Sequence, residues 1–178
     1  MGIKILAFGG SNSKNSINKK LAKFVAGLFN DAKITLLDLN DFEMPLFSVD
    51  REANFPERAL QFAKLIDETD LIVVSLAENN GSYSVAFKNI FDWVSRIPNR
   101  KFYNNKKILL LATSPGARGG ITVLETAVKR FPFDGAVIVG SMSLPSFNQN
   151  FTETAGIINP DLLAKAKELV RIATEAAT

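Results

Sequence analysis

The strongest constraint on this chain's fold is an uninterrupted alternation. Short apolar runs at 3–8, 34–39, 71–76, 108–113 and 136–139 are separated by longer stretches with helical spacing. Each run is brief and lacks strict polar–apolar alternation, as expected of strands buried on both faces. Helical patterns fill roughly 17–30, 55–68, 84–97 and 120–131, and a last one runs from Pro160 to about 176. Asn159-Pro160-Asp161 makes a good helix start, with a capping amide, a proline in the first turn and an early acid. Strand and helix in turn predict an α/β fold: a parallel, doubly wound sheet with helices on both faces. No repeat, linker or low-complexity tract divides the sequence, so 1–178 reads as one domain.

In such sheets ligands bind beyond the carboxyl ends of the strands, where the strand order reverses. Three strand-end loops are therefore of interest. The first, residues 9–18, reads Gly-Gly-Ser-Asn-Ser-Lys-Asn-Ser-Ile-Asn and opens onto a helix. First-turn N–H groups lack intrahelical acceptors and carry partial positive charge. Ser11, Ser13, Ser16 and Asn18 can add neutral donors around a phosphate there, with Lys14 and Ile17 in the same segment. The same string reads equally as an ordinary turn with Ser or Asn as its cap. Neither a Walker loop nor a dinucleotide fingerprint is present, because Gly9-Gly10 lacks the third glycine. The second loop, 77–83, is Ala77-Glu78-Asn79-Asn80-Gly81-Ser82-Tyr83. The third, 114–120, is Ser114-Pro115-Gly116-Ala117-Arg118-Gly119-Gly120. Three such loops on one rim suit a flat ring attached to a phosphate. Arg118 reads either as an exposed loop charge or as a contact to nucleotide phosphates.

Composition removes several chemistries. The chain has no cysteine and no histidine, which excludes thiolate catalysis, Ser-His-Asp triads and nearly all zinc sites. No metal site and no catalytic side chain are assigned. What remains is carboxylate, lysine or tyrosine chemistry, or chemistry carried by a cofactor. A net charge of +3 gives no nucleic-acid signature. No signal peptide or bilayer-length apolar run is seen, so a cytoplasmic protein is expected.

The motifs together resemble the NAD(P)H-dependent FMN reductase family. Gly10-Ser11 with Ser16 and Asn18 is followed by Glu78-x-Asn80-Gly81-Ser82, then Phe87-Lys88-Asn89-x-x-Asp92-Trp93, then Ser114-Pro-Gly-x-x-Gly-Gly120. Pro45-Leu46-Phe47 and Leu144-Pro145 extend the likeness over nearly the whole chain. The resemblance implies a flavodoxin-like fold, a three-layer sandwich around a five-stranded parallel sheet. It implies FMN with its phosphate in the first loop and its ring against the second and third. It also implies NADPH or NADH as donor and a flavin, quinone, azo compound or metal oxyanion as acceptor, in homodimers or homotetramers. Two departures stand out: Ser13 where the family usually has arginine, and Asn79 where it usually has tyrosine. The backbone N–H groups of Gly119 and Gly120 are expected donors to the ring. Cofactor chemistry suits a chain without histidine or cysteine. Rival readings are an electron-carrying flavodoxin and a flavin-free scaffold.

Two further expectations concern assembly. The apolar loop at 44–47 either folds back on the sheet or rims a site or partner surface. On the helix at 84–97, Phe87, Ile90, Val94 and Ile97 form a core stripe. Phe91 and Trp93 lie off it and are expected to widen an exposed face for a second subunit.

Overall fold

A computed structural model describes residues 2–177. The main elements are β1 (Lys4–Gly10), α1 (Ile17–Ala26), β2 (Lys33–Leu37), α2 (Glu57–Asp67), β3 (Leu71–Leu76), α3 (Val85–Val94), β4 (Lys107–Thr113), α4 (Ile121–Arg130), β5 (Val137–Leu144) and α5 (Pro160–Ala177). The five strands form one sheet in the order β2-β1-β3-β4-β5, and every pairing is parallel. This is the flavodoxin-like order, whose direction reverses between β1 and β3.

The apolar runs divide by the two-residue period of a strand. Leu6 and Phe8 of β1, Ile72 and Val74 of β3, and Ile108 and Leu110 of β4 face one side, under α2, α3 and α4. Ile5, Ala7, Val73, Leu109 and Leu111 face the other, under α1 and α5. Both faces are buried, which is why the runs show no alternation. The first face is built on aromatic rings: Phe87, Phe91, Phe102, Tyr103 and Phe131 are buried and pack at ring-centroid separations of 4.6–6.4 Å. Each such ring contributes about 1.5–3 kcal/mol by leaving water.

The edge strands depart most from the sequence reading. β5 runs to Leu144, five residues past its expected end, because Gly140, Ser141 and Ser143 lie on a half-exposed edge where polar residues are tolerated. α1 stops at Ala26, with Gly27 as its C-cap. α3 stops at Val94, four residues before Pro98.

The loop at 44–47 folds back on α3. Asn89 clamps it: its Nδ2 donates to the carbonyls of Met44 and Pro45, each at 3.1 Å, and its Oδ1 accepts from the Phe47 N–H at 2.8 Å. Trp93 Nε1 donates to the Pro45 carbonyl at 2.7 Å, and its ring is held edge-on between Phe47 and Phe55. The expectation that Phe91 and Trp93 widen an exposed face is therefore corrected. Trp93 is fully buried and Phe91 nearly so, because the returning loop and the aromatic core cover them. Among the described residues, no helix is long and apolar enough to cross a membrane.

Candidate functional site

The loops after β1, β3 and β4 emerge on the same edge of the sheet, since the strands are parallel and in register up to Gly10, Leu76 and Ala112. The first loop owes its shape to Gly9. A Cβ there would lie 2.4 Å from the Lys19 backbone nitrogen, so only glycine lets α1 cross so close to the strand end. Ser16 caps α1, accepting from the Lys19 N–H at 3.1 Å. Within the loop, Ser11 Oγ accepts from the Ser13 N–H, and the Ser13 carbonyl accepts from the Ser16 N–H. Among the described residues, nothing accepts from the N–H groups of Ile17 and Asn18 or from the Ser16 hydroxyl proton. Three donors thus converge at the helix N-terminus, where an anion is favoured. Ser13 and Lys14 are exposed beside them.

Asn18 has a different role from the one expected. Its side chain is buried, and its amide is consumed by the scaffold. Oδ1 accepts from Ser75 Oγ at 2.7 Å and from the Thr113 N–H at 3.1 Å, while Nδ2 donates to the Thr113 carbonyl at 3.2 Å. The side chain therefore ties α1 to the ends of β3 and β4. Only its backbone N–H is left to offer a phosphate.

The second loop is a small hairpin. Glu78 pairs with Tyr83 and Asn79 with Ser82, around Asn80 and Gly81 at φ 51° and 76°. Consecutive positive φ angles are what a tight two-residue hairpin needs, and Asn-Gly supplies them. That dipeptide is the sequence signal that could have revealed the hairpin. Asn79 to Ser82 are exposed at its tip. Ser84 anchors its base, capping α3 through the Phe87 N–H at 3.2 Å and donating to the Gly10 carbonyl at 2.7 Å. Beside the hairpin, a cleft of about 280 Å³ runs between Asn12, Asn79, Met44, Leu46, Ser84 and Asn89.

The third loop is fastened on every side. Its Ser114 and Gly116 carbonyls accept from the Phe147 and Ser146 N–H groups at 3.1 and 2.9 Å. Ser143 Oγ donates to the Gly119 carbonyl at 2.8 Å. The Gly119 N–H donates to the Gly116 carbonyl at 3.1 Å, so the expected ring donor is spent inside the turn, and that expectation is corrected. Gly119 is needed for space instead: at φ 58°, a Cβ would lie 2.3 Å from Ser143 Oγ. The Gly120 N–H has no acceptor among the described residues. Pro115 and Gly116 are exposed on the rim. Arg118 is exposed and donates to Thr122 Oγ1 at 2.7 Å, in the first turn of α4.

Charge around the site is modest. Lys19, on the first turn of α1, pairs with Asp38 beyond β2. That hydrogen bond, with a second from the Asn40 N–H, holds the Asp38 carboxyl below the usual carboxylate range. Under the hairpin, burial pushes the Tyr83 phenol up to about 12 and Tyr103 well above its ordinary value. Burial thus holds both phenols in the protonated form.

The edge so formed has a helix N-terminus with uncommitted donors at one end, a hairpin in the middle and a hydrogen-bonded glycine loop opposite. The fold is similar to that of a flavoenzyme NAD(P)H:(acceptor) oxidoreductase from Paracoccus denitrificans, at a TM-score of 0.81 and 23% identity over 98% of this chain and 97% of that one. A 2-hydroxy-1,4-benzoquinone reductase from Burkholderia is 33% identical over 120 residues, covering 67% of this chain and 64% of that protein. An uncharacterized protein of Mycoplasma pneumoniae is 29% identical over 156 residues, covering 85% of this chain and 92% of that one. Residues 3–149 match the model of a family described as NADPH-dependent FMN reductase, and the match spans all three loops. The chain belongs to the NADPH-dependent FMN reductase family.

Proposed function

We propose that this chain binds FMN along the sheet edge and uses it to oxidise NADPH or NADH and to reduce a small acceptor. The observation that carries the reading is the set of uncommitted donors at the α1 N-terminus: the Ile17 and Asn18 N–H groups and the Ser16 hydroxyl. They suit a phosphomonoester, with Ser11, Ser13 and Lys14 around it. In place of the arginine usual in the family, Lys14 supplies a point charge without a bidentate fork. The ring then lies between Ala77–Ser82 on one side and Ser114, Pro115, Gly116 and Gly120 on the other, with Gly119 shaping the loop rather than donating.

When bound, FMN supplies the redox chemistry, accepting hydride from nicotinamide and passing electrons to the acceptor. The protein's part is to bind, orient and limit water. The α1 terminus fixes the phosphate, and the hairpin and the buttressed glycine loop hold two walls at a set separation. Asn79, smaller than the family's usual tyrosine, leaves the hairpin tip open toward the cleft. Donor and acceptor then use one open face in turn, which requires ping-pong kinetics. The Burkholderia relative's name makes a benzoquinone the first acceptor to test, ahead of free flavins, azo dyes and metal oxyanions. A cysteine-free chain using nicotinamide nucleotides fits the cytoplasm.

A second copy is the partner we favour for the cleft rim. Leu46 is 63% exposed and Val85 68%, and both border the cleft beside the hairpin. A dimer or tetramer closing there would shield the open face. Val85→Asp should weaken assembly and lower turnover while FMN stays bound.

The decisive experiment follows NAD(P)H consumption by purified, FMN-loaded protein at varied quinone. Parallel double-reciprocal lines are expected. Intersecting lines would exclude the shared face. Loaded protein that consumes no NAD(P)H without an added reductase would instead make the chain an electron carrier.

A further inference from the structure

Helix α4 begins at Gly120, which has no side chain with which to cap the first turn. The missing cap comes from elsewhere. Glu78 Oε2, in the hairpin after β3, accepts from the Val123 N–H of α4 at 3.0 Å. Glu78 is also a rung of the hairpin, paired with Tyr83. One carboxylate therefore joins the hairpin wall to the helix that carries the glycine loop. We infer that Glu78 is a positioning residue, a cap supplied across the site, which sets the separation of the two loops and neutralises the positive end of α4 beside the flavin ring. The inference rests on the FMN reading above.

Two consequences separate shape from charge. A glutamine at this position can still accept the Val123 N–H through its amide oxygen, whereas alanine cannot. The shape role therefore predicts that Glu78→Gln keeps FMN affinity and Glu78→Ala loses it. The charge role predicts something else. The N-terminus of a helix favours negative charge, and Glu78 currently occupies that position. Removing its charge exposes the helix end to the reduced cofactor, which is more negative than the oxidised one. Both variants should then bind reduced FMN more tightly relative to oxidised FMN, by about tenfold. A tenfold change in that ratio corresponds to about 30 mV upward for a two-electron couple. A cap with no link to the cofactor site would leave the potential unchanged.

The test measures three quantities in wild type, Glu78→Gln and Glu78→Ala. Amide hydrogen exchange at Val123 reads the cap without any cofactor: slow in wild type and Gln, fast in Ala. FMN titration reads the loop separation: affinity retained in Gln and about tenfold weaker in Ala. The midpoint potential of bound FMN reads the charge: higher in Gln than in wild type. Equal exchange at Val123 in all three would overturn the cap. Full affinity in Ala would overturn the positioning role, and an unchanged potential in Gln would overturn the charge role. Wild type that takes up no FMN would defeat the reading of the site, a result distinct from any of these.

Discussion

The loops after β1 and β4 are alike in their share of small residues: glycine and serine make up five of ten at 9–18 and four of seven at 114–120. Both are rich in glycine and serine, both end a buried parallel strand, and both lead into a helix on the same edge of the sheet. Their hydrogen bonds are arranged in opposite ways. The 114–120 loop gives its carbonyls to Ser143, Ser146 and Phe147 and spends the Gly119 N–H internally. The 11–16 loop leaves the Ile17 and Asn18 N–H groups and the Ser16 hydroxyl proton without acceptors. Composition alone cannot distinguish a wall from a cradle. The direction of the bonds does: the third loop's carbonyls are fastened to the segment after β5, whereas the first loop leaves donors open at a helix N-terminus, where an anion is favoured.

Breaking the scaffold beneath both loops should have the largest effect. Asn18→Ala strands the Ser75 hydroxyl and both backbone groups of Thr113, all buried, at a cost of about 4 kcal/mol. Chemical denaturation should show that loss, and FMN affinity should fall with it. Loss of affinity at full stability would return the Asn18 amide to the cradle. Gly119→Ala attacks the wall alone. A left-handed φ of 58° and a close approach to Ser143 Oγ should cost about 2–3 kcal/mol, with the phosphate end unaffected. Equal FMN and riboflavin losses in this variant would support that division; a loss confined to FMN would contradict it.

A smaller effect tests the packing under the hairpin. Tyr83 and Tyr103, the chain's two tyrosines, hold their protons above the ordinary phenol range because they are buried, Tyr83 to about 12. Their contribution to stability is complete below the unfolded value of about 10. It is lost as pH rises from there through the folded values, since the unfolded chain ionises first. Ultraviolet titration should show phenolate appearing together with unfolding. Phenolate forming near pH 10 in a folded chain, at roughly the free-tyrosine value, would mean that the hairpin opens. The least effect comes from Asp38. Its lowered carboxyl contributes stability above the unfolded value of about 4, lost as pH falls through the folded one. The pair with Lys19 is nearly a third exposed, so Asp38→Asn should flatten only the acid limb, by well under 1 kcal/mol.

Much of this was legible in the residues. The three central strands carry unbroken apolar runs at 5–8, 71–74 and 108–112 because both faces are covered, and such runs point to a parallel sheet. In the edge strand β5, Gly140 and Ser141 read as a loop, although a half-exposed edge tolerates them. The three loops were found by their glycines and serines. The role of Asn18 was not, because the partners that consume its amide lie 57 and 95 residues away in sequence; nor was that of Gly119, whose N–H is taken by Gly116 within the turn and whose space is limited by Ser143, 24 residues on. The burial of Trp93 is hidden in the sequence for a similar reason. Its cover is a loop 48 residues upstream, held by the indole N–H and by three hydrogen bonds of Asn89.

The central claim is that the open donors at the start of α1 hold a phosphate. It is tested most directly by titrating the apoprotein with FMN and with riboflavin, which lacks the phosphate, in wild type and in Ser16→Ala. The hydroxyl contributes one charge-assisted hydrogen bond of about 1.5–3 kcal/mol. Wild type should prefer FMN strongly, and Ser16→Ala should lose about ten- to a hundredfold in FMN affinity with riboflavin binding little changed. Equal affinity for FMN and riboflavin in wild type, or an unchanged preference in Ser16→Ala, would contradict the account.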